Sequence, residues 1–171
     1  MTTDDALDLP LNPPDEWFSP PASMVEAVGR GEATKMSYTD EGRVFGHVAA
    51  FGTLLRDGSG NPWSVPRDVD VEVAHQGYVV TASGKHIKSG LILSGKNHTS
   101  TDLPYAAARA EWVPVAEQGK PMEAVGHQIA AGVYFTDEVG IGFAGALLPG
   151  VTKTQLARAR AGAVSLECWP G

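Results

Sequence analysis

Glycine and proline interrupt this chain so often that the sequence argues against a bundle of long helices. Twenty glycines and 12 prolines fall within 171 residues. Inside a helix they cost roughly 1 and 3 kcal/mol each relative to alanine. Turns at this density predict short strands with tight connections and substantial β content. The length fits one domain with a real core. Cys168 is the single cysteine, which leaves no disulfide framework and no thiolate zinc finger. Thirteen basic and 20 acidic side chains give a net charge of −7, the wrong sign for a nucleic-acid groove. No apolar run approaches the roughly 18 residues of a membrane span. No basic segment followed by an apolar stretch marks a secretory signal. The expectation is a soluble, intracellular-type domain with neither nucleic acid nor membrane as partner.

The composition is uneven along the chain. Residues 1–22 hold Pro10, Pro13, Pro14, Pro20 and Pro21, five acids, and no Lys or Arg. Proline blocks regular pairing and like charges repel, so this segment reads as a flexible, acidic arm, with Trp17 and Phe18 able to dock it. Residues 23–171 then form the domain. A short helix is expected over 22–30, ended by glycine. A strand with a bulge or bend is expected over 42–53, and a turn over Arg56–Pro62. Short strands follow at Val69–Val73 and Gly77–Val80, and a buried strand at Lys88–Ser94. Asp102 can cap a helix over Leu103–Val113. Residues 117–121 read as a loop. Ala130–Thr136 and Gly140–Leu147 flank a hairpin turn. A helix over 152–161, capped by Thr152 and ended by Gly162, leads into a strand at Ala163–Trp169. The order implies an α+β fold or a partly open barrel with helices outside.

Few residues suggest chemistry. Ser165 lies on the last strand, where alternation places it on one face with Glu167 and Trp169. A serine hydroxyl needs a base to act as a nucleophile. His98, in the polar turn SGKNHTS, is displayed where scaffolds tend to hold catalytic groups. It lies 67 positions before Ser165. His47, inside an apolar strand, reads as a sheet-face or core histidine. His75 and His86 read as solvated loop residues, and His127 carries no argument. His86, His98 and Asp102 lack any established metal spacing, so neither metal nor other cofactor is expected. Lys96 beside His98 suits either an oxyanion or plain surface charge. Arg158 and Arg160 suit the C-terminal dipole of their helix or a developing negative charge. Asp137 and Glu138 fit turn chemistry.

Three ordered segments, GRVFGHVAAFGT, GLILSGKNH and DEVGIGFAGALLPGVTKTQLARARAGAVSLECW, together resemble the capsid maturation (prohead) proteases of tailed phages. The similarity runs over about residues 40–169, and GALLPGVTKTQLARARAGAVSLECW is its most specific part. The resemblance implies a small β-barrel surrounded by helices, related to the herpesvirus assemblin. It implies a serine endopeptidase that cleaves scaffold and major capsid protein, and itself, inside the procapsid in the host bacterial cytoplasm. It places the nucleophile at Ser165 and the general base at His98. Analogy with assemblins adds a homodimer. The alternative is a catalytically inactive, protease-like procapsid component that binds scaffold.

The sequence departs from the family pattern in three places. Ser165-Leu166-Glu167-Cys168-Trp169 stands where relatives often read S-G-D-W. The element after the alanine-rich helix, Ala108–Trp112, lacks a histidine. Family chains continue beyond the nucleophile strand, so a truncated, self-processed or split form is expected. Glu167 ranks first as the third catalytic member, ahead of Asp137, Glu138 and His47. Arg158, Arg160 and Lys96 are the supporting candidates.

Overall fold

The computed structural model describes residues 6–52, 54–56, 62–64, 66–72, 75, 77–94, 128–161 and 164–166. The expected helix at Leu103–Val113, the loop at 117–121, Asp102, His127 and Gly162 lie outside them.

The fold is α+β. Among the described residues two helices, α1 (Ala22–Gly29) and α2 (Lys153–Ala161), and a 3₁₀ turn at Asp15–Phe18 accompany nine strands. In chain order the strands are β1 (Ser37–Tyr38), β2 (Arg43–Ala50), β3 (Leu54–Arg56), β4 (Pro62–Ser64), β5 (Gly77–Val80), β6 (His86–Ser94), β7 (Gln128–Thr136), β8 (Gly140–Leu147) and β9 (Val164–Leu166). Seven of them form one sheet in the order β1-β2-β8-β7-β6-β5, with β9 paired to β6 as well. Every pairing is antiparallel. β3 and β4 pair with each other in a separate two-stranded sheet; residues 57–61 of the turn read at Arg56–Pro62 lie outside the described residues.

Alternation explains why β8 sits at the centre. All eight of its residues are buried, so both faces of the strand are covered. Ile141, Phe143 and Leu147 lie on one face. There Phe143 meets Tyr134 edge-on, with ring centroids 5.0 Å apart. Gly142, Ala144 and Ala146 lie on the other. At Gly142 the neighbouring strand and α1 leave no room for a side chain: a Cβ would lie 2.4 Å from the Phe135 ring and 3.0 Å from Met24 Cε.

Other contacts bear on the first 22 residues, read as an arm apart from the domain. Residues 6–21 lie along the sheet, and Phe18 belongs to the core. Leu7 N–H donates to Val151 O at 2.9 Å, and Ala82 N–H donates to Pro13 O at 2.8 Å. Asp15 accepts from Ser83 Oγ at 2.5 Å, and Arg43 Nη2 donates to the carbonyls of Glu16 and Ser19. Composition misleads here because proline loses a donor but keeps its acceptor. Pro13, Pro14 and Pro21 all use that carbonyl. Docking through Phe18 is the part of the reading that holds.

β2 carries the expected irregularity: its register against β8 shifts between His47 and Ala49. Gly46, at φ 142°, allows the chain at Lys35–Met36 to pass so close that a Cβ would lie 2.6 Å from Lys35 O. Of the strand expected at Val69–Val73, residues 69–72 are described and form no strand. Asp70 Oδ1 accepts from Glu72 N–H at 3.0 Å, an Asx turn that bends the segment away from pairing. At the start of α2 the capping is reciprocal. Thr152 Oγ1 accepts from Gln155 N–H at 3.2 Å, and Gln155 Oε1 accepts from Thr152 N–H at 2.8 Å.

Candidate functional site

The last strand places Ser165. Helix α2 buries Leu156 and Ala159 and is tied to the sheet by Arg160. Arg160 Nη2 donates to Tyr38 O at 2.5 Å and to Asp40 Oδ1 at 2.9 Å. So anchored, α2 delivers the chain to β9, which pairs with the last residues of β6. The register is Ile92 with Leu166, Leu93 with Ser165, and Ser94 with Val164. In sequence, Ser94 precedes Lys96 by two residues and His98 by four. The backbone of Ser165 is therefore hydrogen-bonded into the strand whose chain continues to His98.

His98, Lys96 and Glu167 lie outside the described residues. Arg158 takes its place on α2. Arg160, read as an oxyanion candidate, spends Nη2 on β1 and the turn after it, and in that contact it fixes the helix to the sheet.

Two histidines have structural roles that the sequence did not resolve. His47 is 2 % exposed in its side chain. Its Nδ1 accepts from Thr34 N–H at 2.9 Å. A backbone N–H can only donate, so Nδ1 carries no proton. Nε2 therefore carries it and donates to Asp137 Oδ2 at 2.8 Å. Both ring nitrogens are committed, and His47 has no lone pair left to take a proton from a serine. The opposing register of His47 and Gly142 sets this histidine near the β7–β8 turn, where Asp137 sits. In sequence His47 and Asp137 stand 90 positions apart. Only the β2–β8 register joins them.

His75, read as solvated, is buried. Its Nε2 accepts from Tyr134 N–H at 2.9 Å, and its Nδ1 lies 3.4 Å from Glu72 Oε2. The reason is a gap in the ladder. β6 pairs with β7 only as far as Gly132, so the Tyr134 amide needs another acceptor in the interior. His86 is exposed as expected, but it opens β6 rather than sitting in a loop. Among the described residues, no three His, Cys, Asp or Glu side chains converge as metal ligands.

Asp137 is the most strongly held acid of this region. Burial pushes its carboxyl up. The Gly140 N–H, the His47 ring and the Val139 N–H together outweigh burial and hold it below its ordinary 3.8. Its Oδ1 accepts from Val139 N–H at 2.8 Å and from Gly140 N–H at 3.0 Å. The linkage has one sign. Stability from Asp137 is complete above its unfolded value near 3.8 and is lost as pH falls through the lower folded value. Asp137→Asn removes that acid limb. Urea unfolding followed from pH 6 down to pH 2 should show a shallower loss for the variant than for the unaltered chain.

Compared with family models, curated proteins and solved structures, the chain has no match.

Proposed function

We propose that this chain is a serine endopeptidase of the capsid-maturation kind, cleaving scaffold and major capsid protein within the procapsid. The observation that carries the reading is the register of Leu93 with Ser165. It joins the strand of the proposed nucleophile to the strand that runs on to the proposed base. The committed nitrogens of His47 and the buried Nε2 of His75 favour His98 for that role. The proposed barrel also gains support. β9 pairs with β6 while some of its Cα atoms come within 8 Å of Cα atoms in β2. The sheet thus curls back toward its own second strand, although no ladder joins the two.

In the proposed reaction His98 takes the Ser165 proton as the hydroxyl attacks the scissile carbonyl. It returns that proton to the leaving amine, and water then releases the acyl group by the same route. Glu167 orients His98. Lys96 and Arg158 are the supporting cations. Arg160 supports from a distance, by holding α2 in place.

Ser165→Ala tests this reading in cells that co-express the cognate scaffold and capsid proteins. The variant is expected to fold and to leave both proteins uncut, where the unaltered chain shortens them. Equal processing by the variant overturns the proposal.

A further inference from the structure

We propose that the outer edge of β5 docks an extended, acidic polypeptide segment. The inference stands apart from the role of Ser165. Among the described residues β5 ends the hydrogen-bonded order of the sheet and pairs on one side only, with β6. Thr81 N–H donates to Lys85 O at 2.9 Å. In an antiparallel ladder hydrogen-bonded pairs alternate, so Val79 with Ile87 and Gly77 with Ser89 are the bonded ones. Tyr78 and Val80 occupy the alternate pairs, opposite Lys88 and His86. Their main-chain groups therefore point away from β6. The Val80 carbonyl agrees, accepting from Asn12 Nδ2 at 3.1 Å. The Tyr78 N–H and C=O and the Val80 N–H have no partner among the described residues. An extended peptide carries donors and acceptors at the same spacing and adds to such an edge as one more strand.

The side chains select the peptide. Residues 77–89 carry Lys85, His86 and Lys88 and no acid, within a chain of net charge −7. Lys85 lies near Asp15, an acid lowered chiefly by the Ser83 and Thr81 hydroxyls and least by this lysine. Lys88 has no ion pair among the described residues. Alternation puts Lys88 and His86 on the face of Tyr78, beside the free edge, where they complement glutamate or aspartate. Apolar contact is available too. Tyr78 is 44 % exposed and Leu11 is 59 % exposed. With Pro13, Val80, Leu148 and Pro149 they line a small, open recess. Native proteins usually blunt or cover an edge of this kind. Here Asn12 caps the Val80 carbonyl and Pro13 O takes the next outward amide, Ala82 N–H, which leaves the Tyr78 end open.

The test uses the full chain and a fluorescent peptide of alternating glutamate and valine. Saturable binding is expected, with amide shifts centred on Gly77–Val80. Tyr78→Pro deletes an outward N–H without touching the β6 ladder, a position that tolerates proline. It should weaken binding by about tenfold or more. Lys88→Glu, which does not challenge folding, should weaken it as well. A peptide N-methylated at alternate amides should not bind. The proposal fails if the unaltered chain shows no saturable binding or if the N-methylated peptide binds equally. It also fails if a lysine–valine peptide binds as tightly as the glutamate one, or if the edge pairs with a second copy of the chain instead. If Tyr78→Pro does not fold, Lys88→Glu and the N-methylated peptide decide the matter.

Discussion

Phe143→Ala is expected to lower the unfolding free energy by about 4 kcal/mol. For a chain of this length the midpoint of thermal unfolding should fall by roughly 10 °C. The size follows from the neighbourhood. Phe143 is fully buried at the centre of β8, opposite Gly46 in β2 and Tyr134 in β7. Gly46 offers no side chain to fill the space, and Gly145 follows two positions later on the same face. Tyr134 cannot relax into the cavity, because its hydroxyl donates to Leu91 O at 2.5 Å and its amide to His75. A site that cannot collapse keeps its cavity and the full cost of it. Urea unfolding measures the difference, and Phe143→Leu should cost clearly less. A loss below about 1 kcal/mol for the alanine variant would show that this face of the sheet is loosely packed.

His47→Ala is the second large effect, expected at about 3 kcal/mol. It removes a ring that is 2 % exposed and unpairs two groups, the Thr34 N–H and one oxygen of Asp137. Asp137 is 19 % exposed, so water recovers part of its share, and the Thr34 amide carries more of the cost. Two mimics separate these contributions. His47→Asn offers an acceptor near the Nδ1 position, and His47→Gln offers a donor near Nε2. Each should recover part of the stability. His47→Ala and Asp137→Asn together should cost less than the sum of the single changes, because they share one contact. Strict additivity would contradict the pairing.

Much of the sheet was legible because its signals are local. Alternation and turn residues place β5, the β7–β8 hairpin and α1 within a residue or two of the structure. The Thr152 cap announces α2. The bend in β2 is visible in its glycines. What escaped was set by partners distant in sequence. The acidic, proline-rich start reads as an arm because composition does not reveal that Phe18 joins the core and that Pro13 and Asp15 bond to Ala82 and Ser83. Val69–Val73 looks like a strand until Asp70 captures the Glu72 amide. His75 lies in a polar stretch, and only the gap between β6 and β7 explains its burial. For the proposed site, the sequence offered Ser165 and His98; the register of β9 on β6 sets Ser165 opposite Leu93, while His98 lies outside the described residues. His47 and Asp137 were each visible, but their pairing depends on a strand register that no local pattern carries.

The central claim is that Ser165 is an activated nucleophile with His98 as its base. A fluorophosphonate probe tests it on the purified full chain, with the modified residue read by mass spectrometry. The account predicts a covalent adduct on Ser165, lost in Ser165→Ala. In His98→Ala the adduct should slow by at least about a hundredfold, while His47→Asn labels at close to the unaltered rate. Absence of an adduct on Ser165, or labelling that is indifferent to His98, would contradict it.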